Sequence, residues 1–173
     1  MIETEQRAEI EAGLDAVWDH VRDIARWAAI MPGYRACVIE NDNDSRWTLK
    51  VGVGGLVRTV TVAVHVEEWA GPGLVRFRYA LKGDPVTGSG TWRATALGSG
   101  RTGITLAVRV EGSGPMAPMW EAMGRPLLPQ FARSFAAELK RAIEAAPGAA
   151  PPAESKGPRA WLHRIWRRLT RRA

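Results

Sequence analysis

Cysteine is almost absent. Cys37 is the single one in 173 residues, so neither an internal disulfide framework nor a cysteine zinc cluster can form. The expectation for Cys37 is a small buried residue. Histidine is scarce as well: His20, His65 and His163 fall on different elements, without metal-ligand spacing, and read as solvated surface residues. No stretch approaches the ~20 apolar residues that a membrane-spanning helix needs. The opening "MIETEQRAEIEAG" is acidic and alternating, which is not the pattern of a signal peptide and predicts a cytoplasmic location. Nucleophilic catalysis needs a serine or cysteine beside a base, and nothing has that spacing.

Net charge is missing from most of the chain. Residues 1–153 carry equal numbers of acidic and basic side chains, so the whole excess of +6 lies in residues 154–173. A pI near 10.2 suggests nucleic acid when it is spread over a fold. Here it describes a tail on a neutral body.

What is present is a hydrophobic share of 46%, enough for one core of good size. "IETEQRAEIEA" alternates as a half-buried strand, with Ile2, Thr4, Gln6, Ala8 and Ile10 on one face. From Leu14 the period changes: Leu14, Val17, Trp18, Val21, Ile24 and Trp27 form a helical stripe that Pro32-Gly33 ends. Alternating runs then follow at residues 34–40, 46–53, 56–69, 74–83, 86–97 and 103–112, parted by turn residues, as in an antiparallel meander. After Gly112 the helical period returns. Pro115 and Pro118 suit a helix start, whereas Gly124, Pro126 and Pro129 predict a kink or a split.

This order predicts an α+β fold of the helix-grip kind, a curved antiparallel sheet of about seven strands around a long kinked C-terminal helix. Residues 1–146 form that domain. Residues 147–158, "PGAAPPAESKGP", form a flexible Pro/Ala-rich linker, and residues 159–173 form a basic amphipathic helix.

Alternate residues of a curled sheet face its concave side. Parity places Trp47, Leu49, Val51, Val53, Val60, Val62, Val64, Val66, Val75, Phe77, Tyr79, Leu81, Trp92, Ala94, Ile104, Leu106, Val108 and Val110 on one apolar face. The opposite parity carries the ionisable residues, among them Lys50, His65, Glu67, Arg76, Arg78, Arg93 and Arg109. General acid–base work needs a titratable group within reach of substrate, and this interior offers only Tyr79. Parity does not separate a filled core from an apolar cavity.

Four stretches carry a family resemblance: "VWDHVRDIARWAAIMPG", which resembles the family's first helical pair, "WTLKVGVGGLVRTVTVAVHVEE", "GSGTWRATAL" and "GSGPMAPMWEAMGRPLLPQFARSFAAELKRAI". The chain resembles the START-like (SRPBCC, Bet v 1-like) superfamily of polyketide cyclases and lipid-transfer proteins. Within it, the chain looks most like the G-subunit group of carbon monoxide dehydrogenase. The resemblance implies a pocket between sheet and long helix. Its ligand-binding residues would be Trp47, Leu49, Val51, Val62, Val64, Phe77, Tyr79, Trp92, Leu106, Val108, Met119, Met123, Leu127 and Phe131. Met116, Met119 and Met123 fit an adaptable pocket entrance or plain space-filling equally well.

An apolar guest fits the arithmetic. Each buried methylene contributes about 0.8 kcal/mol, whereas an unpartnered charge costs several. An isoprenoid quinone, a fatty acyl chain or a polycyclic compound qualifies, and no metal or covalent cofactor is expected. The resemblance further implies a partner, a molybdenum hydroxylase of the carbon monoxide dehydrogenase type, served by a non-enzymatic binding protein. The alternative is a cyclase or dehydratase acting on an apolar, polyketide-like substrate. An adaptor with a filled core is a third class.

The tail "PRAWLHRIWRRLTRRA" completes the pattern. On a helical wheel Trp161, Leu162, Ile165, Trp166 and Leu169 share an arc of about 140°, with Arg164, Arg167, Arg168 and Arg171 opposite. Such a helix is too short and too charged to span a bilayer and has the form of one lying in the interface. A partner's helix groove also fits. Nucleic acid uses arginine equally well but does not ask for a continuous Trp/Leu/Ile face, so no nucleic-acid partner is expected. The expectation is a peripheral protein on the inner face of the cell membrane.

Overall fold

The computed structural model describes residues 1–53 and 55–146, without the side chain of Val53. The linker at 147–158 and the basic helix at 159–173 lie outside the described residues.

The order is β1 (Ile2–Ile10), α1 (Leu14–Val21), α2 (Ile24–Ala29), β2 (Tyr34–Ile39), β3 (Asp44–Val53), β4 (Leu56–Ala70), β5 (Leu74–Leu81), β6 (Val86–Gly98), β7 (Arg101–Gly112) and α3 (Ala117–Glu144). Strands β2 to β7 form the expected meander. β1 pairs antiparallel with β7, so the first and last strands lie side by side in one seven-stranded sheet.

The continuous stripe from Leu14 to Trp27 resolves into two helices. Asp23 takes an extended conformation between them, and its carboxylate accepts from the Ala25 N–H at 3.0 Å, capping α2. Conversely, α3 is not split. Pro126 and Pro129 sit inside one helix of 28 residues. The carbonyls they leave without a helical donor belong to Ala122 and Arg125, both exposed, so water can serve them.

Side chains of α1, α2 and α3 close the core against the sheet. Val17, Val21, Trp27, Trp92, Phe135, Leu139 and Ile143 are buried within it. Cys37 is half-buried rather than buried, because β2 is the edge strand of the sheet among the described residues. Burial still pushes its thiol pKa up. His20 also departs from the expectation of a solvated residue. It is half-buried on α1, and burial, then the nearby Arg26, lower its pKa.

The outer face of the sheet carries cross-strand ion pairs, such as Arg109 with Glu3 and Arg78 with Glu67, each at 2.7 Å. Half-exposed pairs of this kind add at most about 1 kcal/mol each. His65 belongs to this face and bonds Asp44 through Nδ1 at 2.7 Å. That bond, with the Asn41 amide donating to the same carboxylate, holds Asp44 below the usual carboxylate range. Among the described residues no helix is long and apolar enough to cross a membrane, and no cluster of three or more His, Cys, Asp or Glu could hold a metal.

Candidate functional site: an apolar cavity under the long helix

Between the concave face of the sheet and α3 lies a cavity of about 630 Å³. That places it within the range of small-molecule sites. β3 contributes Trp47, Leu49 and Val51; β4 contributes Leu56, Arg58, Val60, Val62 and Val64; β5 contributes Phe77, Tyr79 and Leu81. β7 adds Leu106, Val108 and Val110. α3 closes the space with Met119, Trp120, Met123, Gly124, Leu127, Leu128, Phe131, Ala132 and Phe135, and Val86, Trp27 and Met31 complete the lining among the described residues.

Most of the residues that alternation places on the concave face meet around this space. Every position expected to bind ligand lines the cavity except Trp92. That side chain is 1% exposed and packs against Trp18 at a ring separation of 6.4 Å, inside the core. The reason is position along β6: Trp92 stands under α1, beyond the end of the cavity that α1 and the Trp18–Trp69 pair fill.

Two glycines make the cavity's aromatic wall. Gly88 and Gly90 face inward on β6, directly opposite Tyr79 and Phe77 on β5. A Cβ on Gly88 would stand 2.2 Å from Tyr79 Cζ, and one on Gly90 would stand 2.3 Å from Phe77 Cζ. Both rings thus lie across bare backbone instead of projecting into the space. The "VTGSGTW" stretch holds the signal, because its glycines share the inward parity of Val86 and Trp92.

Sequence reasoning missed Arg58. It has the same parity as Val60 and Val62, so it faces inward, and it is the one charged residue among the described residues lining the cavity. Its guanidinium meets Asp84 at 2.8 Å and 3.1 Å through two nitrogens. Asp84 is 9% exposed, so the pair neutralises a carboxylate that burial would otherwise penalise. Leu56, 64% exposed, and Met119, 41% exposed, also line the cavity and mark its mouth.

Tyr79 is the titratable hydroxyl of the wall. Its O–H donates to the Arg109 carbonyl at 2.8 Å, and burial pushes its pKa well above the ordinary phenol value. It holds its proton at neutral pH and already spends it on backbone. Among the described residues, the indole N–H groups of Trp27 and Trp120 are buried without a partner. The arrangement can enclose an apolar molecule and offer it a few hydrogen-bond donors. Among the described lining residues it presents no side chain that exchanges a proton near neutrality.

Residues 1–144 match the family described as polyketide cyclase / dehydrase and lipid transport. The chain belongs to this family. A search of curated proteins finds no match. Among solved structures, the family member is similar to a conserved protein from Geobacillus kaustophilus at 14% identity and TM-score 0.69, covering 82% of this chain and 95% of that one. It is similar to the Zhui aromatase/cyclase of a Streptomyces species at 22% identity and TM-score 0.57, covering 85% and 98%. A START superfamily protein from Mycobacterium smegmatis matches at 16% identity and TM-score 0.58, covering 81% and 98%. At these identities the likeness establishes the helix-grip fold.

Proposed function

We propose that this family member binds a neutral, largely apolar molecule in the cavity and exchanges it at a membrane surface. The observation that carries the reading is a space of about 630 Å³ bounded by hydrocarbon and aromatic side chains, with one paired arginine. At ~30 Å³ per water-sized group it has room for roughly twenty non-hydrogen atoms. That suits a C16-like acyl chain, a compact polycycle or a short-chain isoprenoid quinone. The unpartnered indole donors of Trp27 and Trp120 favour a guest with an acceptor oxygen over a pure hydrocarbon.

The basic tail supports the membrane half of the reading. Each basic residue near an anionic leaflet contributes roughly 1 kcal/mol. Its Trp/Leu/Ile face supplies apolar area for reversible docking. A peripheral site on the inner face of the cell membrane follows from that reading. The narrowest form, service to a molybdenum hydroxylase of the carbon monoxide dehydrogenase type as quinone carrier or membrane dock, rests on the four stretches of family resemblance alone.

Organic extraction of the full-length protein, followed by mass spectrometry, tests the cavity. A co-purified quinone or lipid is expected. Val62→Trp with Val108→Trp fills the space and should abolish that cargo while the domain stays folded. Cargo retained by the filled variant would refute the cavity as its site.

A second reading, a cyclase or dehydratase, is favoured by the family description and by the aromatase/cyclase neighbour. Arg58 would then hold a substrate oxygen, and Asp84 would hold Arg58. An empty extract, together with turnover of a polyketone that Arg58→Gln abolishes, would establish it.

A further inference from the structure

We infer that the rim of the cavity is itself a lipid-contact surface, separate from the basic tail. The inference rests on the reading that the cavity holds an apolar guest.

Pairing of β2 with β3 stops at Tyr34 opposite Leu49, and pairing of β5 with β4 stops at Leu81 opposite Val62. Past Lys50, whose N–H still donates to the Gly33 carbonyl at 2.7 Å, β3 and β4 pair with each other, as Val51 with Arg58 and Gly52 with Val57. The two strands therefore reach past the sheet as an arm. Near its tip Leu56 is 64% exposed and Val57 is 57% exposed. Across the mouth, at the start of α3, Met116 is 53% and Met119 is 41% exposed. Leu56 and Met119 also line the cavity. The apolar lining thus runs out onto the surface, with Arg58 beside it neutralised by Asp84.

Water is a poor occupant for such a rim. A guest leaving through it exposes apolar area at about 25 cal/mol per Å², a cost that vanishes where the mouth meets hydrocarbon. Four side chains present far less than the ~800 Å² per partner of a stable protein interface, which argues against a second copy. Charge does not oppose it, since residues 1–153 are neutral overall and the excess of +6 in residues 154–173 draws the chain to an anionic bilayer. The tether also reaches. α3 carries the chain about 40 Å away from the mouth at ~1.5 Å per residue. Residues 147–158 can cover about 40 Å at up to ~3.3 Å per residue, so tail and rim can engage one surface.

The test places an environment-sensitive fluorophore on the full-length chain at Val57→Cys or Met116→Cys, in a Cys37→Ser background. Leu97→Cys, near the end of β6 at the opposite end of the sheet, serves as control. With vesicles of phosphatidylcholine and phosphatidylglycerol, positions 57 and 116 should shift to the blue and be quenched by lipid-borne quencher, while position 97 does not change. Unchanged signals at 57 and 116, while the protein still floats with vesicles, would overturn the rim and leave the tail alone in contact. Blue-shifted signals there without vesicles would mean that the tail or a second copy covers the rim, which also overturns it.

This arm needs no bound ligand. A second arm uses Val57→Ser with Met116→Ser, residues outside the cavity lining. Transfer of a pyrene-labelled fatty acid from vesicles should slow about tenfold. Affinity for the same probe in vesicle-free buffer should not change. Unchanged transfer counts against the rim, whereas absence of probe binding in every variant counts against the cavity reading instead.

Discussion

The ring of Tyr79 lies across Gly88, its partner on the neighbouring strand, and its hydroxyl donates to the Arg109 carbonyl one strand further on. A single side chain thereby spans β5, β6 and β7 on the cavity side. The contact sets the cavity's shape, because a ring standing upright would occupy the space that a guest needs.

Gly88→Val tests this. Its Cβ would arrive 2.2 Å from Tyr79 Cζ and 2.4 Å from the Arg109 carbonyl oxygen, so the ring must swing inward. Overpacking of this kind costs about 1–3 kcal/mol. The expected result is a lower thermal midpoint together with weaker binding of a polycyclic fluorescent probe. A variant that binds the probe as the parent does would show that the ring is not held by the glycine.

Tyr79→Phe removes the bond to Arg109 and should cost about 1 kcal/mol at neutral pH. Its alkaline signature is more specific. The folded pKa is raised by burial, so the contribution is fully present below the unfolded value of about 10 and is lost as pH rises from there towards the folded pKa. Stability of the parent should therefore fall above about pH 10, and more gently in Tyr79→Phe. Urea titrations at a series of alkaline pH values measure both slopes, and equal slopes would contradict the assignment.

How much of this was legible in sequence differs by element. Parity of the strands found most of the sheet's share of the lining, because a sheet with one buried face must alternate. It misplaced Trp92, since parity fixes a face and not a position along the strand under α1. It passed over Arg58 because an inward charge looks like an error until Asp84, 26 residues away, is seen to neutralise it. The break between α1 and α2 does not show in the stripe, which continues through it; the family resemblance implied the helical pair, and Asp23 is a good cap residue. A long C-terminal helix was expected, but whether Pro126 and Pro129 would split it was not legible. That outcome depends on which carbonyls the prolines orphan and on whether those face water.

Trp27 offers an optical reading of occupancy. It lines the cavity at ring separations of 5.8 Å from Phe77 and 6.4 Å from Phe135, and it touches Trp69 at 6.0 Å. A quinone bound against it should quench a large part of the tryptophan emission. In Trp27→Phe most of that quenching should vanish and the affinity should fall about fivefold, because the swap keeps an aromatic ring but removes the indole N–H. Quenching unaffected by the substitution would place the guest elsewhere.

Glu144 closes the far end of α3 against β1. Its carboxylate accepts from the Glu11 N–H at 2.9 Å, and Lys140 bonds the same oxygen while also donating to the Glu9 carbonyl at 2.7 Å. Partial burial alone would raise its pKa, but the Glu11 and Lys140 contacts outweigh that and lower it. A lowered folded pKa means stability that is present above the unfolded value of about 4.5 and lost as pH falls through the folded one. Glu144→Gln should accordingly be less stable than the parent at pH 7 by about 1 kcal/mol, given its partial exposure. The gap should narrow below about pH 4.5, where the parent carboxylate takes up its proton. Denaturation of both proteins across pH 3 to 7 measures the gap. A difference that stays constant through that range would mean that the helix end is held by packing of Leu139 and Ile143 and not by the carboxylate.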